Sequence, residues 1–175
     1  MTLERIDSET KWDGRIAKVL VTRYRYDDGE EAEREIVELP GSVAVVAHDG
    51  ERLYLVRQPR EAVDEPALLE LPAGKLDVEG EPPEATAKRE LAEEIGKGAR
   101  TWKHLSSFYI SPGFASEECH VYLATDLYDE SAESEENERI EVVERPLAEL
   151  DELIAECRDS KTLVGLLWLR AFEAR

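Results

Sequence analysis

The most constraining feature of the sequence is an acidic helical segment directly behind a glycine-containing loop. The stretch from Gly74 to Gly96 reads GKLDVEGEPPEATAKRELAEEIG, and Glu90, Glu93 and Glu94 stand there at i, i+3 and i+4. This spacing places three carboxylates on one helical face, where each like-charge pair costs roughly 0.2–0.5 kcal/mol. Carboxylate oxygens are preferred ligands of Mg²⁺, which proteins commonly share with substrate phosphates. The face therefore predicts a cation site. The alternative is a solvated acidic face.

The same segment predicts a helix that packs on a core. Pro82 and Pro83 suit a helix start, where a missing N–H group has no consequence. Ala87, Leu91 and Ile95 repeat every four residues and form an apolar stripe beside the acidic face. We therefore expect the stripe to face the core and the acids to face a cleft.

Composition limits the classes of protein to which the chain can belong. With 175 residues and 42% hydrophobic content, it can build one sizeable core. The formal net charge of -19 argues against nucleic acid and anionic membranes as partners, because phosphates attract Lys and Arg. A small anionic substrate held through metal ions stays compatible with this charge.

Targeting signals and cysteine motifs are absent from the sequence, which predicts a cytoplasmic location. The opening residues, MTLERIDSETKWDGR, lack an apolar signal core. Apolar runs such as Leu163–Leu169 are too short to span a bilayer. Cys119 and Cys157 form no CxxC motif and predict two reduced thiols. The histidines have no metal-ligand spacing and predict packed or surface roles: His48, His104 and His120.

The N-terminal region predicts a short antiparallel β segment. Arg15–Tyr26 and Arg34–Leu39 are rich in β-branched, aromatic or alternating apolar residues, and the turn Asp27–Glu30 lies between them. Pro40-Gly41 then breaks the chain. We therefore expect residues 1–40 to form an N-terminal β segment and residues 41–175 to form the main domain.

The main domain predicts an α/β fold with a mixed sheet between helices. A second hairpin is expected over Ser42–His48 and Arg52–Gln58, and the polar run Asp126–Arg139 reads as a surface loop. Leu163, Leu166, Leu167 and Phe172 predict a last helix buried on much of its girth. The remaining expected elements are strands Trp102–Ile110, Cys119–Thr125 and Ile140–Arg145, and helices Pro146–Cys157 and Ser160–Ala174. This order is typical of a sheet sandwiched by helices.

The acidic segment resembles the Nudix box, the signature of the Nudix hydrolases. That signature is Gly, five residues, Glu, seven residues, Arg-Glu-aliphatic, any residue, Glu-Glu, any residue, Gly. The residues that fill it are Gly74, Glu81, Arg89, Glu90, Leu91, Glu93, Glu94 and Gly96. Six residues separate Gly74 from Glu81, so the loop is one residue longer, and Lys97 replaces a final aliphatic residue. The resemblance implies a Nudix-type α/β/α sandwich and hydrolysis assisted by a divalent metal.

Other segments resemble those of bacterial ADP-ribose pyrophosphatases. They are Arg57-Gln58-Pro59-Arg60, Glu70-Leu71-Pro72-Ala73-Gly74, Ser111-Pro112-Gly113-Phe114, with Pro112 standing 15 residues beyond Lys97, and the acidic loop Glu136-Asn137-Glu138-Arg139-Ile140. The resemblance implies Mg²⁺-dependent hydrolysis of ADP-ribose to AMP and ribose 5-phosphate, with Mn²⁺ as an alternative ion. It also implies a homodimer in which residues before Pro40 help to form the partner's substrate site.

Two alternatives to this function stay open. In the first alternative, the chain is an enzyme whose substrate is another nucleoside diphosphate sugar or a dinucleoside polyphosphate. The second is a ligand-sensing Nudix module without catalysis. Such modules tend to lose glutamates of the box and to carry a DNA-binding helical domain, whereas this chain keeps every box glutamate and has no basic winged segment.

The box residues receive specific roles from spacing and resemblance together. Glu90 and Glu94, at i and i+4, are the first candidates for metal ligands. Glu93 is a further ligand or an acceptor behind the ligands. The resemblance adds the Ala73 carbonyl as a ligand. Arg89 is expected to orient a glutamate, and its alternative is a surface salt bridge.

Residues outside the box complete the expected site. The resemblance makes Glu138 the general base or a further metal ligand, with Glu136 as the alternative and a solvated loop acid as the simpler interpretation of both. Arg57 and Arg60 suit phosphate oxygens, although charges at a strand edge are as common. The resemblance adds Glu70, Gly113 and Phe114 as substrate contacts. The aromatic residues that could stack on adenine are Trp12, Tyr24, Tyr26 and Phe114.

Overall fold

The computed structural model describes residues 2–130, 132 and 139–173. The chain divides into two compact units. The first contains the residues up to Gly41 together with Tyr109–Glu118, and the second contains Ser42–Phe108 and the residues from Cys119 onward. Glu136 and Glu138 lie outside the described residues, so their predicted roles stay predictions.

The first unit is a three-stranded antiparallel sheet in the order β1-β2-β3. Its strands are β1 (Leu3–Asp13), β2 (Lys18–Tyr26) and β3 (Glu31–Glu38). The hairpin of β2 and β3 confirms the prediction, but β1 was not expected because its sequence is charged and almost every side chain is exposed. The segment 109–118 joins this unit through β3, where the Val37 N–H donates to the Phe114 carbonyl at 2.7 Å.

The second unit is built on a seven-stranded mixed sheet. The strands are β4 (Ser42–His48), β5 (Arg52–Arg60), β6 (Glu65–Glu70), β7 (Ala73–Lys75), β8 (Lys97–Tyr109), β9 (Glu118–Asp129) and β10 (Glu141–Pro146). The central order is β10-β5-β4-β9-β8, with β6 on β5 and β7 on β4. Strand β4 is parallel to β9, whereas β5 is antiparallel to β4, β6 and β10.

Three α-helices accompany the sheet among the described residues: α1 (Pro83–Ile95), α2 (Leu150–Glu156) and α3 (Ser160–Glu173). Short 3₁₀ turns cover Glu61–Val63 and Leu147–Glu149. Helix α1 ends at Ile95 and is capped by Gly96, whose φ of 67° is the left-handed conformation that favours glycine. No helix among the residues that the structure describes has the length and apolar character required to cross a bilayer.

Helices α1 and α3 pack on opposite faces of β4. Val43, Val45 and Ala47 belong to one core cluster with the α1 stripe of Ala87, Leu91 and Ile95. Val46, which points the other way in a strand, approaches α3 so closely that a Cβ at Gly165 would lie 2.9 Å from it. A strand with helices on both faces is apolar throughout, and β4 is buried along its whole length. The predicted α/β/α sandwich is confirmed.

Several local expectations were wrong in detail. Strand β9 continues to Asp129, so the polar run expected as a loop from Asp126 begins as a strand. Leu167 is 47% exposed, because the neighbouring Leu166 takes the position on α3 that faces the sheet. The second predicted hairpin is short, since β4 pairs with β5 only through Ala47 and His48. Most of β4 pairs instead with β7 and β9.

Candidate active site

The glycine loop lies against the acidic face of α1. Strand β7 is held on β4 by the pairs Ala44–Ala73 and Val43–Gly74. At Gly74 a Cβ atom would lie 2.0 Å from the Glu90 carboxyl carbon, far inside van der Waals contact. Only glycine therefore allows this backbone to approach the carboxylate, which gives the first glycine of the acidic segment a physical role.

The Glu94 carboxylate is attached to the same loop. Its side chain is on the inner edge of the acidic face, and the residue is only 9% exposed. The Ala73 N–H donates to Glu94 Oε2 at 2.9 Å. Glu90 and Glu94, separated by one helical turn, thus both contact the Ala73-Gly74 backbone.

Arg89 connects three acidic residues beside this loop. Its Nη1 donates to Glu90 Oε1 at 2.8 Å and to Glu93 Oε2 at 3.0 Å, and its Nη2 reaches Glu81 Oε2 at 3.4 Å. Burial acts to lower the pKa of Arg89, but Glu90, Glu81 and Glu93 raise it well above its ordinary value. Within the described part of the chain, its buried Nε has no hydrogen-bond partner. Arg89 thus contacts three carboxylates at once, and its predicted role in orienting them for catalysis stays a prediction.

Thr86 is a site residue that the sequence analysis missed. Its side chain is fully buried, and its hydroxyl donates to Glu81 Oε2 at 2.7 Å. This hydrogen bond is the main cause of a lowered pKa of Glu81, to which Arg89 also contributes. The signal in the sequence was a threonine in the first turn of α1, five residues after Glu81. Glu81 is thus held in place for Arg89.

The residues of the acidic face fit a hard divalent cation by their chemistry. Glu90, Glu93 and Glu94 supply only oxygen donors, and the backbone of Ala73 lies beside them. Among the residues that the structure describes, no three acidic, His or Cys side chains already converge as a metal cluster. The Arg89 guanidinium lies close to both the Glu90 and the Glu93 carboxylates and offsets the repulsion between them. Metal binding by Glu90 and Glu94 stays a prediction.

Arg60 and Glu70 bind each other in a bidentate ion pair. Arg60 Nε donates to Glu70 Oε1 at 2.6 Å and its second terminal nitrogen donates to Oε2 at 2.8 Å. Glu70 is 1% exposed, so its carboxylate faces Arg60 rather than solvent. The Arg57 side chain is as exposed as that of Arg60, at 40%, and its Nη1 lies 3.9 Å from Glu141 Oε1.

Gly113 and Phe114 belong to the first unit, not to the unit that carries α1. They lie in a turn, the Phe114 side chain is exposed, and a Cβ at Gly113 would meet no atom within 4 Å. Trp12 is also an exposed residue of the first unit. The roles predicted for these residues in substrate binding stay predictions.

Two of the three histidines share a serine hydroxyl. Ser107 Oγ lies 2.9 Å from His104 Nε2 and 2.7 Å from His120 Nδ1. His48 is buried and its Nδ1 accepts the Gly50 N–H at 3.2 Å. These are packed and surface roles, as expected.

Comparison with known proteins agrees with this geometry. The family model for the NUDIX domain matches residues 38–164. The chain belongs to the NUDIX family. That family typically uses a divalent metal. An ADP-ribose pyrophosphatase of Bacillus subtilis (strain 168) is 39% identical over 174 residues, covering 97% of this chain and 93% of that protein.

Two further relatives of this Nudix protein are similar over nearly their whole length. A methanol dehydrogenase activator of Bacillus methanolicus is also 39% identical, covering 97% of this chain and 93% of that protein. The solved structure of an ADP compounds hydrolase has a TM-score of 0.87 at 25% identity, covering 99% of this chain and 95% of that one. The chain is a Nudix pyrophosphohydrolase similar to ADP-ribose pyrophosphatases.

Proposed function

We propose that this Nudix pyrophosphohydrolase cleaves the pyrophosphate of ADP-ribose to AMP and ribose 5-phosphate with Mg²⁺ bound. The observation that carries the chemistry is the contact of Glu90 and Glu94 with the Ala73-Gly74 backbone. The substrate is supported by the ADP-ribose pyrophosphatase that is 39% identical over nearly the whole chain.

The acidic face of α1 would hold the ion in this reaction. When bound, Mg²⁺ neutralises charge on phosphoryl oxygens and lowers the pKa of a coordinated water. Glu90 and Glu94 are the proposed ligands, with the Ala73 carbonyl as an additional one. Arg89 holds the Glu90 and Glu93 carboxylates in fixed orientations through Nη1, so both stay ordered before an ion arrives.

Two arginines are the proposed contacts for the diphosphate. Their guanidinium groups match phosphate oxygens in a fixed fork geometry. Arg60 is preoriented by the buried Glu70, whose carboxylate binds Nε and one terminal nitrogen. We therefore assign Glu70 a positioning role in place of the direct substrate contact expected from the sequence. Arg57 lies on the same strand β5 and is partly exposed.

The function is tested by a turnover screen of the purified chain with Mg²⁺. ADP-ribose, other nucleoside diphosphate sugars and dinucleoside polyphosphates are compared, and products are separated by chromatography. We expect the highest kcat/KM for ADP-ribose, with AMP and ribose 5-phosphate in equal amounts. The Glu94→Gln protein, purified in the same way, controls for contaminating hydrolases. A higher kcat/KM for another substrate would reassign the substrate, and a parallel series with Mn²⁺ compares the two ions.

Glu138 is the proposed general base, and Glu138→Gln is expected to lower kcat strongly with little change in KM. The amide cannot accept a proton from the attacking water, whereas general-base catalysis contributes roughly 10²- to 10⁴-fold. Thermal stability should stay nearly unchanged, and Glu136→Gln should have the smaller effect on kcat. Steady-state kinetics of both variants measure this. A larger loss of kcat in Glu136→Gln would transfer the role of general base to Glu136. No loss of kcat in either variant would assign that role to a glutamate of the Nudix box.

We also propose a homodimer that depends on the first unit. Strand β1 is almost wholly exposed, including Leu3 and Trp12, and a small sheet needs an apolar face or a packing partner to be stable. A chain beginning at Gly41 should be monomeric or aggregate and should bind substrate weakly. Light scattering and substrate titration measure both effects. A full chain that is monomeric at micromolar concentration would contradict the proposal.

A further inference from the structure

Helix α3 begins with a side-chain cap that orients a buried hydroxyl. Asp159 Oδ2 accepts the Thr162 N–H at 2.9 Å and the Thr162 hydroxyl at 2.8 Å. The Leu163 N–H donates to the Asp159 carbonyl at 2.9 Å, the first hydrogen bond along this helix. This is the geometry of an N-cap aspartate. Because the Thr162 hydroxyl donates its hydrogen to Asp159, the lone pairs of its oxygen can accept a hydrogen bond from another direction.

The Thr162 hydroxyl binds the backbone of the segment that leads to the active site. Thr162 Oγ1 accepts the Leu71 N–H at 2.8 Å. Thr162 is 2% exposed and Leu71 is fully buried, so water cannot replace this acceptor. The Thr162 hydroxyl therefore donates a hydrogen bond to Asp159 and accepts one from the Leu71 N–H.

Three consecutive residues carry this connection from α3 to the acidic face of α1. Leu71 is bound to α3 through Thr162. The Pro72 carbonyl accepts the Val45 N–H of β4 at 2.8 Å. The Ala73 N–H donates to Glu94 Oε2 at 2.9 Å. The short segment is thus attached to a helix, a strand and a second helix, and each attachment limits where Ala73 meets Glu94.

The charged side chain of Lys161 supports the cap and lies near both Asp159 and Glu70. Lys161 Nζ lies 2.9 Å from Asp159 Oδ1 and 3.9 Å from Glu70 Oε2. Burial acts to raise the pKa of Asp159, but Lys161 and the Thr162 donors lower it below its usual range. Asp159 is therefore an anion at neutral pH and keeps its role as acceptor for Thr162.

We propose that Thr162 is a positioning residue for Glu94, acting through the Leu71–Ala73 segment, with Asp159 orienting its hydroxyl. This inference rests on the proposed metal-binding role of Glu94. Thr162 touches neither substrate nor ion. Its effect is to place the Ala73 backbone so that the Glu94 carboxylate is held in one orientation.

The test compares Thr162→Val, which keeps the shape and removes the hydroxyl, with Thr162→Ser, which keeps the hydroxyl. Binding of Mn²⁺, an EPR-active substitute for Mg²⁺, is measured without substrate. Because groups behind metal ligands typically change metal affinity by roughly 10- to 100-fold, we expect Thr162→Val to weaken Mn²⁺ binding about tenfold. Thr162→Ser should restore the affinity. In the enzyme assay, the Mg²⁺ concentration for half-maximal rate should rise in parallel, with KM for ADP-ribose unchanged.

Leu169→Ala is the matched structural control. Leu169 is buried on the same helix α3 and has no place in the connection to Glu94. Its replacement should lower Tm as Thr162→Val does and leave the Mn²⁺ affinity unchanged. Wild-type Mn²⁺ affinity in Thr162→Val with a lowered Tm would overturn the proposal, because the hydroxyl would then serve folding alone. If Thr162→Val does not fold, Asp159→Ala, which removes the acceptor that orients the Thr162 hydroxyl, carries the same comparison, and unchanged affinity there overturns the proposal.

The proposed function and this inference fail in different ways. Mn²⁺ binding that depends on Glu94 without hydrolysis of ADP-ribose would contradict the substrate, while the affinities of the Thr162 variants still decide the positioning role. If Mn²⁺ binding is the same in the wild-type protein and in Glu94→Gln, or is absent from both, Glu94 holds no ion. Either result would overturn the positioning role directly.

Discussion

Replacement of Glu94 by Gln is expected to lower turnover by roughly two to four orders of magnitude. A metal ion stabilises developing charge by several kcal/mol, and about 1.4 kcal/mol corresponds to a factor of ten. The variant removes the charge of a proposed ligand and keeps its size. The amide oxygen can still accept the Ala73 N–H that binds Glu94 at 2.9 Å, so folding should survive. Steady-state kinetics over a range of Mg²⁺ concentrations measure the effect.

Glu84→Gln provides the control on the same helix. Glu84 is exposed in the first turn of α1 and forms an ion pair with Lys88 at 2.6 Å, and exposed pairs contribute little to stability. The change removes the same charge without touching the loop, so turnover should stay within about twofold. Near-normal turnover of Glu94→Gln at saturating Mg²⁺ would show that Glu94 does not hold the essential ion.

Replacement of Gly74 by Ala is the second change with a large expected effect. The added Cβ would lie 2.0 Å from Glu90 Cδ and 2.2 Å from its Oε1, while the backbone of Gly74 is held on β4 by pairing with Val43. The end of the Glu90 side chain can rotate away, so the fold should persist. The displaced carboxylate should lower kcat at least about tenfold, because misplacement of active-site groups by about 1 Å can cost roughly 100-fold in rate.

Gly50→Ala separates this effect from general strain. Gly50 lies in the turn between β4 and β5 with a φ of 96°, and a Cβ there would meet no atom within 4 Å. Its replacement strains the backbone by about 1 kcal/mol or more without disturbing Glu90. We expect a lower Tm with normal kcat for Gly50→Ala, and a normal or slightly lower Tm with a low kcat for Gly74→Ala. Retained kcat in Gly74→Ala would contradict a requirement for the Glu90 orientation.

Features that depend on local spacing could be predicted from the sequence. Helix α1 ends at Ile95, with Gly96 in the left-handed conformation, and its apolar stripe of Ala87 and Leu91 lies in the core. The period of a helix alone puts Glu90 and Glu94 on one face. The hairpin of β2 and β3 was predictable for a similar reason, since alternation of side chains and a turn are properties of neighbouring residues.

Strands whose formation depends on a neighbour could not be predicted. The charged sequence of β1 has no apolar alternation, and it becomes a strand by pairing with β2 along its length. The end of β9 beyond Thr125 was missed because Asp126 and Asp129 flank Leu127 and Tyr128, although Leu127 packs against the core there. Hydrophobic patterns report burial, so strands with exposed side chains leave little trace in a sequence.

The sequence by itself determined the acidic face of α1, its helix and its family, because these depend on residues within a few turns of one another. Only the tertiary structure decided what that face contacts. Gly74 meets Glu90, Ala73 binds Glu94, and Glu70 holds Arg60 rather than facing solvent. Thr162 reaches Leu71 across 91 positions of the chain. Such contacts between distant segments depend on how the sheet and helices pack, and no local spacing records them.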